Sequence, residues 1–263
     1  MGFLLLLQSK RKLKKLSKLI SELAISGRKG VAWLVDPDKY LDFEALNWIN
    51  EADLDLILFG GSSVDSGVFQ SNLSTLKRRF PRVPLCIFPG SADQLSPDAD
   101  GVLFLSLISG TNPEFLISSQ IKAAFKVVEF GLEALPTGYL LINSGELLSV
   151  HKASNTLPIL NSEVEKAVQI ALAGKLLGLD YLYLEAGSGA KEPVSPEIIS
   201  QIKKQTGLPL FVGGGIRDSK AVRRAFDAGA DLVVLGNSIE KDPSFLAEVL
   251  EFKAMYNQLL HVN

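Results

Sequence analysis

Short runs rich in branched aliphatic and aromatic residues recur eight times along the chain, near 31–36, 55–59, 84–88, 101–105, 138–143, 181–185, 209–212 and 231–235. Helical patterns fill most of the gaps and the end, at 42–50, 66–80, 113–130, 162–177, 196–206, 219–228 and 243–260. Several open with good start signals, such as Ser195-Pro196 and Asp218-Ser219. Strands that alternate with helices in this way form a parallel sheet, which either closes into a (β/α)8 barrel or spreads into a doubly wound sheet. The doubly wound form carries a Gly-x-Gly turn after its first strand, and here Asp36-Pro37-Asp38-Lys39 stands in that place. The pattern predicts the barrel, as one domain.

Two departures refine it. The gap 89–100 holds two prolines, a glycine and three aspartates, which leaves no room for a three-turn helix. The third barrel helix should be missing or reduced to a single turn. Ahead of the first strand, Leu13, Leu16, Leu19, Ile20 and Leu23 are spaced for one apolar stripe, so 1–29 reads as an extra helix. Two roles fit it: packing on the barrel with a solvated basic face, or transient contact with an anionic membrane surface.

Charge and scarce residues limit the chemistry. The 263 residues sum to −2, but 1–30 carry eight basic residues against Glu22 alone (+7), which leaves the other 233 at −9 with 19 basic and 28 acidic. A body of that sign does not bind nucleic acid by bulk attraction. Cys86 is the only cysteine, and His151 and His261 are the only histidines. Disulfide frameworks, thiolate zinc and histidine-rich metal sites are excluded, so a metal would need oxygen ligands, which points to Mg²⁺. The apolar run 3–7 is too short for a signal core or a span, and the expectation is a cytoplasmic protein.

In such barrels chemistry gathers at the strand C-termini, with phosphate held after the seventh and eighth strands. The seventh runs into Gly213-Gly214-Gly215-Ile216-Arg217 and the eighth into Gly236-Asn237-Ser238. Bare backbone N–H groups in such loops can cradle an anion, although glycines also serve merely to turn a chain. The sixth strand alternates Tyr181, Tyr183 and Glu185 with Leu182 and Leu184, so the tyrosines and Glu185 should face the barrel interior. Glu185 then sits at the mouth as a candidate general base, the alternative being a salt bridge to a loop lysine. Asp36 ends the first strand and is either a metal ligand or the cap of the turn through Pro37.

Taken together, Asp36-Pro37-Asp38-Lys39, Gly60-Gly61-Ser62, Tyr183-Leu184-Glu185-Ala186-Gly187-Ser188-Gly189-Ala190, Gly213-Gly214-Gly215-Ile216-Arg217 and Gly236-Asn237 resemble the geranylgeranylglyceryl phosphate synthases over about 30–260. These are prenyltransferases of archaeal-type ether lipid synthesis, with bacterial homologues, and the family is similar in lacking a regular third barrel helix. The resemblance implies Asp36 and Ser62 as Mg²⁺ ligands. It implies glycerol phosphate contacts along Tyr183, Leu184, Glu185, Ala186, Gly187, Ser188 and Gly189, and a phosphate cradle at Gly214, Gly215, Gly236 and Asn237. Where some bacterial members have a lysine two residues before the metal aspartate, this chain has Leu34.

The implied reaction joins a prenyl diphosphate, by the resemblance a C20 donor, to the C3 hydroxyl of sn-glycerol 1-phosphate, with Glu185 as catalytic base. A dimer or hexamer is implied as well. The isoprenoid needs an apolar groove, for which Phe88, Phe104, Leu105 and Leu107 are candidates. Two other readings of the residues remain: a phosphate-binding isomerase or lyase of amino-acid biosynthesis, and a non-catalytic phospholigand-binding barrel.

Overall fold

The computed structural model describes residues 15–39, 46–50, 52–61 and 66–260. Eight parallel strands close on themselves: β1 (Gly30–Val35), β2 (Leu56–Phe59), β3 (Leu85–Ile87), β4 (Gly101–Leu107), β5 (Glu133–Asn143), β7 (Tyr181–Glu185), β8 (Leu210–Gly213) and β9 (Leu232–Leu235). Closure comes from β9 pairing back onto β1, with Gly30 opposite Leu232. A ninth strand, β6 (Ile159–Leu160), lies outside the ring against the end of β5. Helices α2 (Ser66–Arg79), α3 (Ser119–Glu129), α5 (Val164–Leu176), α6 (Pro196–Thr206), α7 (Ser219–Asp227) and α9 (Ser244–Leu260) surround it. Two short helices, α4 (Ser149–Ser154) and α8 (Asn237–Lys241), sit in the loops after β5 and β9.

Between β3 and β4 there is no helix, as the prolines and aspartates of 89–100 require. In the 42–50 segment the described part is a 3₁₀ turn over Asn47–Asn50 rather than a barrel helix, and 40–45 lie outside the described residues. The strand expected from 138 begins at Glu133 instead. A proline removes one ladder donor from a strand, yet the strand runs through Pro136 opposite Phe104, and the Pro136 carbonyl still accepts the Asp180 amide at 3.0 Å.

Two apolar layers follow from strand alternation. Ala32, Leu58, Cys86, Leu103, Leu135, Tyr181 and Phe211 fill the interior, while Trp33, Ile57, Leu182, Leu184 and Val233 meet the outer helices. Helix α1 (Lys15–Ser26) settles where the N-terminal stripe goes. Leu16, Ile20 and Leu23 are buried in the interior cluster, so the helix closes the barrel floor. Its first turn is capped by a strand residue: the Leu16 and Ser17 amides each donate to the Glu133 carboxylate at 2.9 Å. The described part of this stripe is therefore spent on packing, and 1–14 lie outside the described residues. Among the described residues no helix is long and apolar enough to cross a membrane.

Candidate active site

The C-terminal ends of β1, β7, β8 and β9 open into one cavity of about 830 Å³. On β7 the side chains of Tyr181 and Tyr183 point inward and Glu185 ends the strand at the mouth. Gly213 faces them from β8: a Cβ there would lie 2.7 Å from the Tyr183 hydroxyl and 3.1 Å from Glu185 Oε2. The missing side chain is what leaves room for two polar groups inside a narrow barrel. Glu185 is only 6% exposed, and the Gly187 amide donates to its Oε1 at 2.6 Å. Burial pushes its pKa up to about 7, against the Gly187 hydrogen bond and the neighbouring Tyr183 hydroxyl. That hydroxyl is itself buried beside the Glu185 carboxyl with no hydrogen bond of good geometry among the described residues, and burial and Glu185 raise its pKa. A buried orphan donor beside a carboxylate poised near neutrality is the arrangement of a proton-transfer site.

The glycine loops stand next to it. Gly214 (φ +80°) and Gly215 (φ +71°) hold left-handed backbone that suits glycine, and their amides find no acceptor among the described residues. Asn237 bonds across the mouth to Ser188, with its Nδ2 donating to Ser188 Oγ at 2.8 Å, which ties the β9 loop to the β7 loop. Arg217 does not reach into the cradle with its Nη2, which donates to the Ala190 carbonyl at 2.6 Å and the Gly189 carbonyl at 3.2 Å. Its role is to hold the 187–190 loop.

Asp36 lines the cavity from β1. Its Oδ1 accepts the Asp38 amide at 3.0 Å, so it does cap the turn through Pro37, and its second oxygen has no protein partner among the described residues. Ser62 lies outside the described residues. Among the described residues no three His, Cys, Asp or Glu side chains gather as a metal cluster. One hard carboxylate at the rim of an anion cradle suits Mg²⁺, which takes one or two protein oxygens and completes its shell with water and substrate phosphate.

From the mouth the cavity continues over β3 and β4 into the space that a third barrel helix would occupy. Phe88, Leu95, Phe104 and Phe115 line this arm, with Ala123 and Val127 of α3 as its far wall. All four groove candidates, Phe88, Phe104, Leu105 and Leu107, line the cavity. Where arm and mouth meet, Phe88, Tyr139 and Tyr183 pack as an aromatic wall, with ring centroids 5.2–5.7 Å apart.

Comparison with known proteins places the chain. Residues 26–254 match the PcrB family. The chain belongs to this family. It is 44% identical to the geranylgeranylglyceryl phosphate synthase of Flavobacterium johnsoniae over 230 residues, covering 86% of this chain and 94% of that one. The synthase of Korarchaeum cryptofilum is 37% identical over 227 residues, 85% of this chain and 92% of that one. The crystal structure of (S)-3-O-geranylgeranylglyceryl phosphate synthase from Thermoplasma acidophilum, in complex with its substrate sn-glycerol-1-phosphate, superposes with a TM-score of 0.81 at 29% identity, covering 88% of this chain and 96% of that one. This PcrB-family member is a transferase of the geranylgeranylglyceryl phosphate synthase type.

Most of the residues expected at this family's site do meet at one cavity: Asp36, Tyr183, Glu185, Gly187, Ser188, Gly189, Gly214, Gly215, Gly236 and Asn237. Leu184 and Ala186 do not. Strand alternation turns the Leu184 side chain into the outer layer, and Ala186 is fully buried there, its amide bonded to the Gly213 carbonyl and its own carbonyl to Asn143 Nδ2. Sequence reasoning also missed Tyr139, which alternation from Leu141 would have placed inside the barrel. It missed α4 as well, whose Ser149, Val150 and Ala153 form part of the cavity wall. No periodic stripe marks so short a helix.

Proposed function

We propose that this protein transfers a prenyl group from a prenyl diphosphate to the C3 hydroxyl of sn-glycerol 1-phosphate, forming an ether. The observation that carries the reading is the continuity of one cavity: anion cradle, buried carboxylate, aromatic wall and apolar arm follow one another without a break. Gly214, Gly215, Gly236 and Asn237 hold the phosphate of the acceptor. Glu185 and Tyr183 orient the C3 hydroxyl, and Glu185 accepts its proton as the new C–O bond forms. The bond between C1 of the prenyl group and the diphosphate oxygen breaks, and diphosphate departs with the electron pair. Positive charge that develops at C1 lies against the faces of Phe88, Tyr139 and Tyr183. Held by Asp36 and Ser62, Mg²⁺ would supply charge neutralisation to the leaving diphosphate. The long apolar arm supports a donor of geranylgeranyl size, and a small polar substrate of amino-acid synthesis would leave that arm unused.

The test is direct. The purified protein is incubated with Mg²⁺, each enantiomer of glycerol phosphate and prenyl diphosphates of several lengths, and the products are weighed by mass spectrometry. The expected product is a prenyl ether of sn-glycerol 1-phosphate, lost on chelation and restored by added Mg²⁺. Turnover that persists under chelation would remove the metal role of Asp36, and absence of any ether product would sink the assignment.

A further inference from the structure

Asn143 closes β5 and is fully buried. Leu141 pairs with Glu185, so Asn143, two residues further along β5, stands level with Gly187. Its side chain has one way to sit. Oδ1 accepts the Gly145 and Glu146 amides at 2.8 and 3.0 Å, and Nδ2 donates to the Glu146 and Ala186 carbonyls at 3.0 and 3.1 Å. A primary amide has two donors and two acceptor positions, and all four are used.

One of those bonds reaches the candidate base at one remove. The Ala186 carbonyl and the Gly187 N–H belong to a single peptide group. Asn143 holds its oxygen, and its N–H donates to Glu185 Oε1 at 2.6 Å. In such a series each bond polarises the next. The chain alone does not fix which way this peptide faces, because Gly187 (φ +104°) is a glycine and tolerates either sign of φ. Turned over, the peptide would present its carbonyl to the carboxylate in place of its N–H. Packing steadies the same group: a Cβ on Gly214 would lie 2.6 Å from the Gly187 nitrogen, and one on Gly187 would lie 2.5 Å from Leu148 Cδ1. Those contacts limit its position, and the hydrogen bond from Asn143 distinguishes its carbonyl from its N–H.

We propose that Asn143 is a positioning residue for Glu185: it holds the 186–187 peptide so that the N–H of that peptide stays aimed at the carboxylate. The use of Glu185 as a base rests on the proposed reaction, but the coupling of the two residues does not. A merely structural Asn143 and a positioning one differ in sign. The Gly187 hydrogen bond lowers the pKa of Glu185 against the burial that raises it. A lost N–H therefore moves the titration up, whereas a loosened turn that admits water moves it down. The other titratable groups around Glu185 are silent in that range. Burial holds the Tyr183 and Tyr139 hydroxyls well above the ordinary tyrosine value, and β8 offers only Gly213 and Gly214. On α4, His151 accepts the Leu148 amide on Nδ1 at 3.2 Å, and burial lowers its pKa, so it is neutral where Glu185 titrates.

The full chain, labelled with ¹³C at its glutamate carboxyls, is titrated by NMR from about pH 5 to about pH 9, the Glu185 resonance being the one that Glu185→Gln removes. In wild type it should titrate near 7. In Asn143→Ala the midpoint should rise to about 8 or above, because a hydrogen bond to a charged acceptor shifts the equilibrium roughly tenfold or more. Under the proposed reaction kcat/KM at about pH 7 should then fall about fivefold and recover by about pH 9. An unmoved midpoint, or one that falls toward 4.5, overturns the proposal. If Asn143→Ala does not fold, Asn143→Ser supplies the comparison, since its hydroxyl stops short of the place of Nδ2. Wild type gives an independent reading: the Asn143 Nδ2 protons should titrate with the Glu185 midpoint, and flat signals across that range overturn the coupling as well. A raised midpoint in a protein that forms no prenyl ether would sink the reaction and leave the positioning role standing. Ether formation with an unmoved midpoint would do the reverse.

Discussion

At the scale of single residues the site turns on Glu185. A base must be deprotonated to act, and burial sets its pKa near 7 rather than at the ordinary 4.5. With acceptor and donor limiting, kcat/KM should rise about tenfold per pH unit below 7 and level off above it. Glu185→Gln should lower kcat by about 10²-fold or more and remove that limb; a variant that keeps the limb in the same place would take the base role away from Glu185. Stability follows the opposite sense. The folded protein keeps a proton that the unfolded chain releases near pH 4.5, so stability falls as pH rises from about 4.5 to about 7 and is flat above. The Gln variant lacks that loss and should be the more stable protein at pH 8, by up to roughly 3 kcal/mol in denaturant melts. The cradle glycines need separate treatment. A Cβ on Gly215 would strike the Glu192 carbonyl and Pro193 at 2.7 Å, so Gly215→Val damages a loop before it touches phosphate. Gly236 has a negative φ, and a Cβ there would make only ordinary van der Waals contact, its nearest neighbour being the Leu34 carbonyl oxygen at 3.6 Å. Gly236→Ala should raise the glycerol phosphate KM several-fold with an unchanged melt. An unchanged KM would take Gly236 out of the cradle.

Among the elements, α1 is the one whose place was hardest to read. Leu16 is fully buried, and its side chain meets the space over Gly101 at the start of β4. Leu16→Ala should cost about 2–5 kcal/mol, the range for a leucine cut from a packed core. A denaturant series that gives under 1 kcal/mol would mean that α1 is not the floor. Periodicity identifies an apolar stripe but not the surface that receives it, which is why membrane and barrel both fitted 1–29. The same limit hid which face of α3 packs. Its larger apolar side chains, Ile121 and Val128, look like core in a one-dimensional pattern, yet Ala123 and Val127 are the ones that pack. Strands were legible because period-two alternation states both faces at once: Tyr183 and Glu185 inside, Leu182 and Leu184 outside. The missing third helix was legible for a different reason, since proline and glycine forbid a structure locally, whatever the rest of the chain does. Pro136 shows the converse, a residue that weakens a strand locally yet is held in it by pairing along the whole of β5.

For the molecule as a whole, the absent helix and the charge balance act together. The body beyond the first 30 residues stands at −9, so in the proposed reaction the two polyanionic substrates would not be gathered by bulk attraction, and that proposal gives their binding to local amides and a metal on Asp36. In that proposal the donor's isoprenoid tail would add binding that charge does not oppose, through apolar burial in the arm between β4 and α3. That division has a measurable consequence. Ala123 is nearly buried on the α3 wall of the arm, well away from the cradle by position in the fold. Ala123→Phe fills the arm without touching Glu185 or the glycine loops. A C20 donor should lose about tenfold or more in kcat/KM, whereas a C5 or C10 donor, which ends before the obstruction, should change by less than about threefold. The glycerol phosphate KM measured with the short donor should stay at the wild-type value. Equal losses for short and long donors would mean that the phenylalanine disturbs the mouth, and no loss for either would place the isoprenoid elsewhere than between β4 and α3.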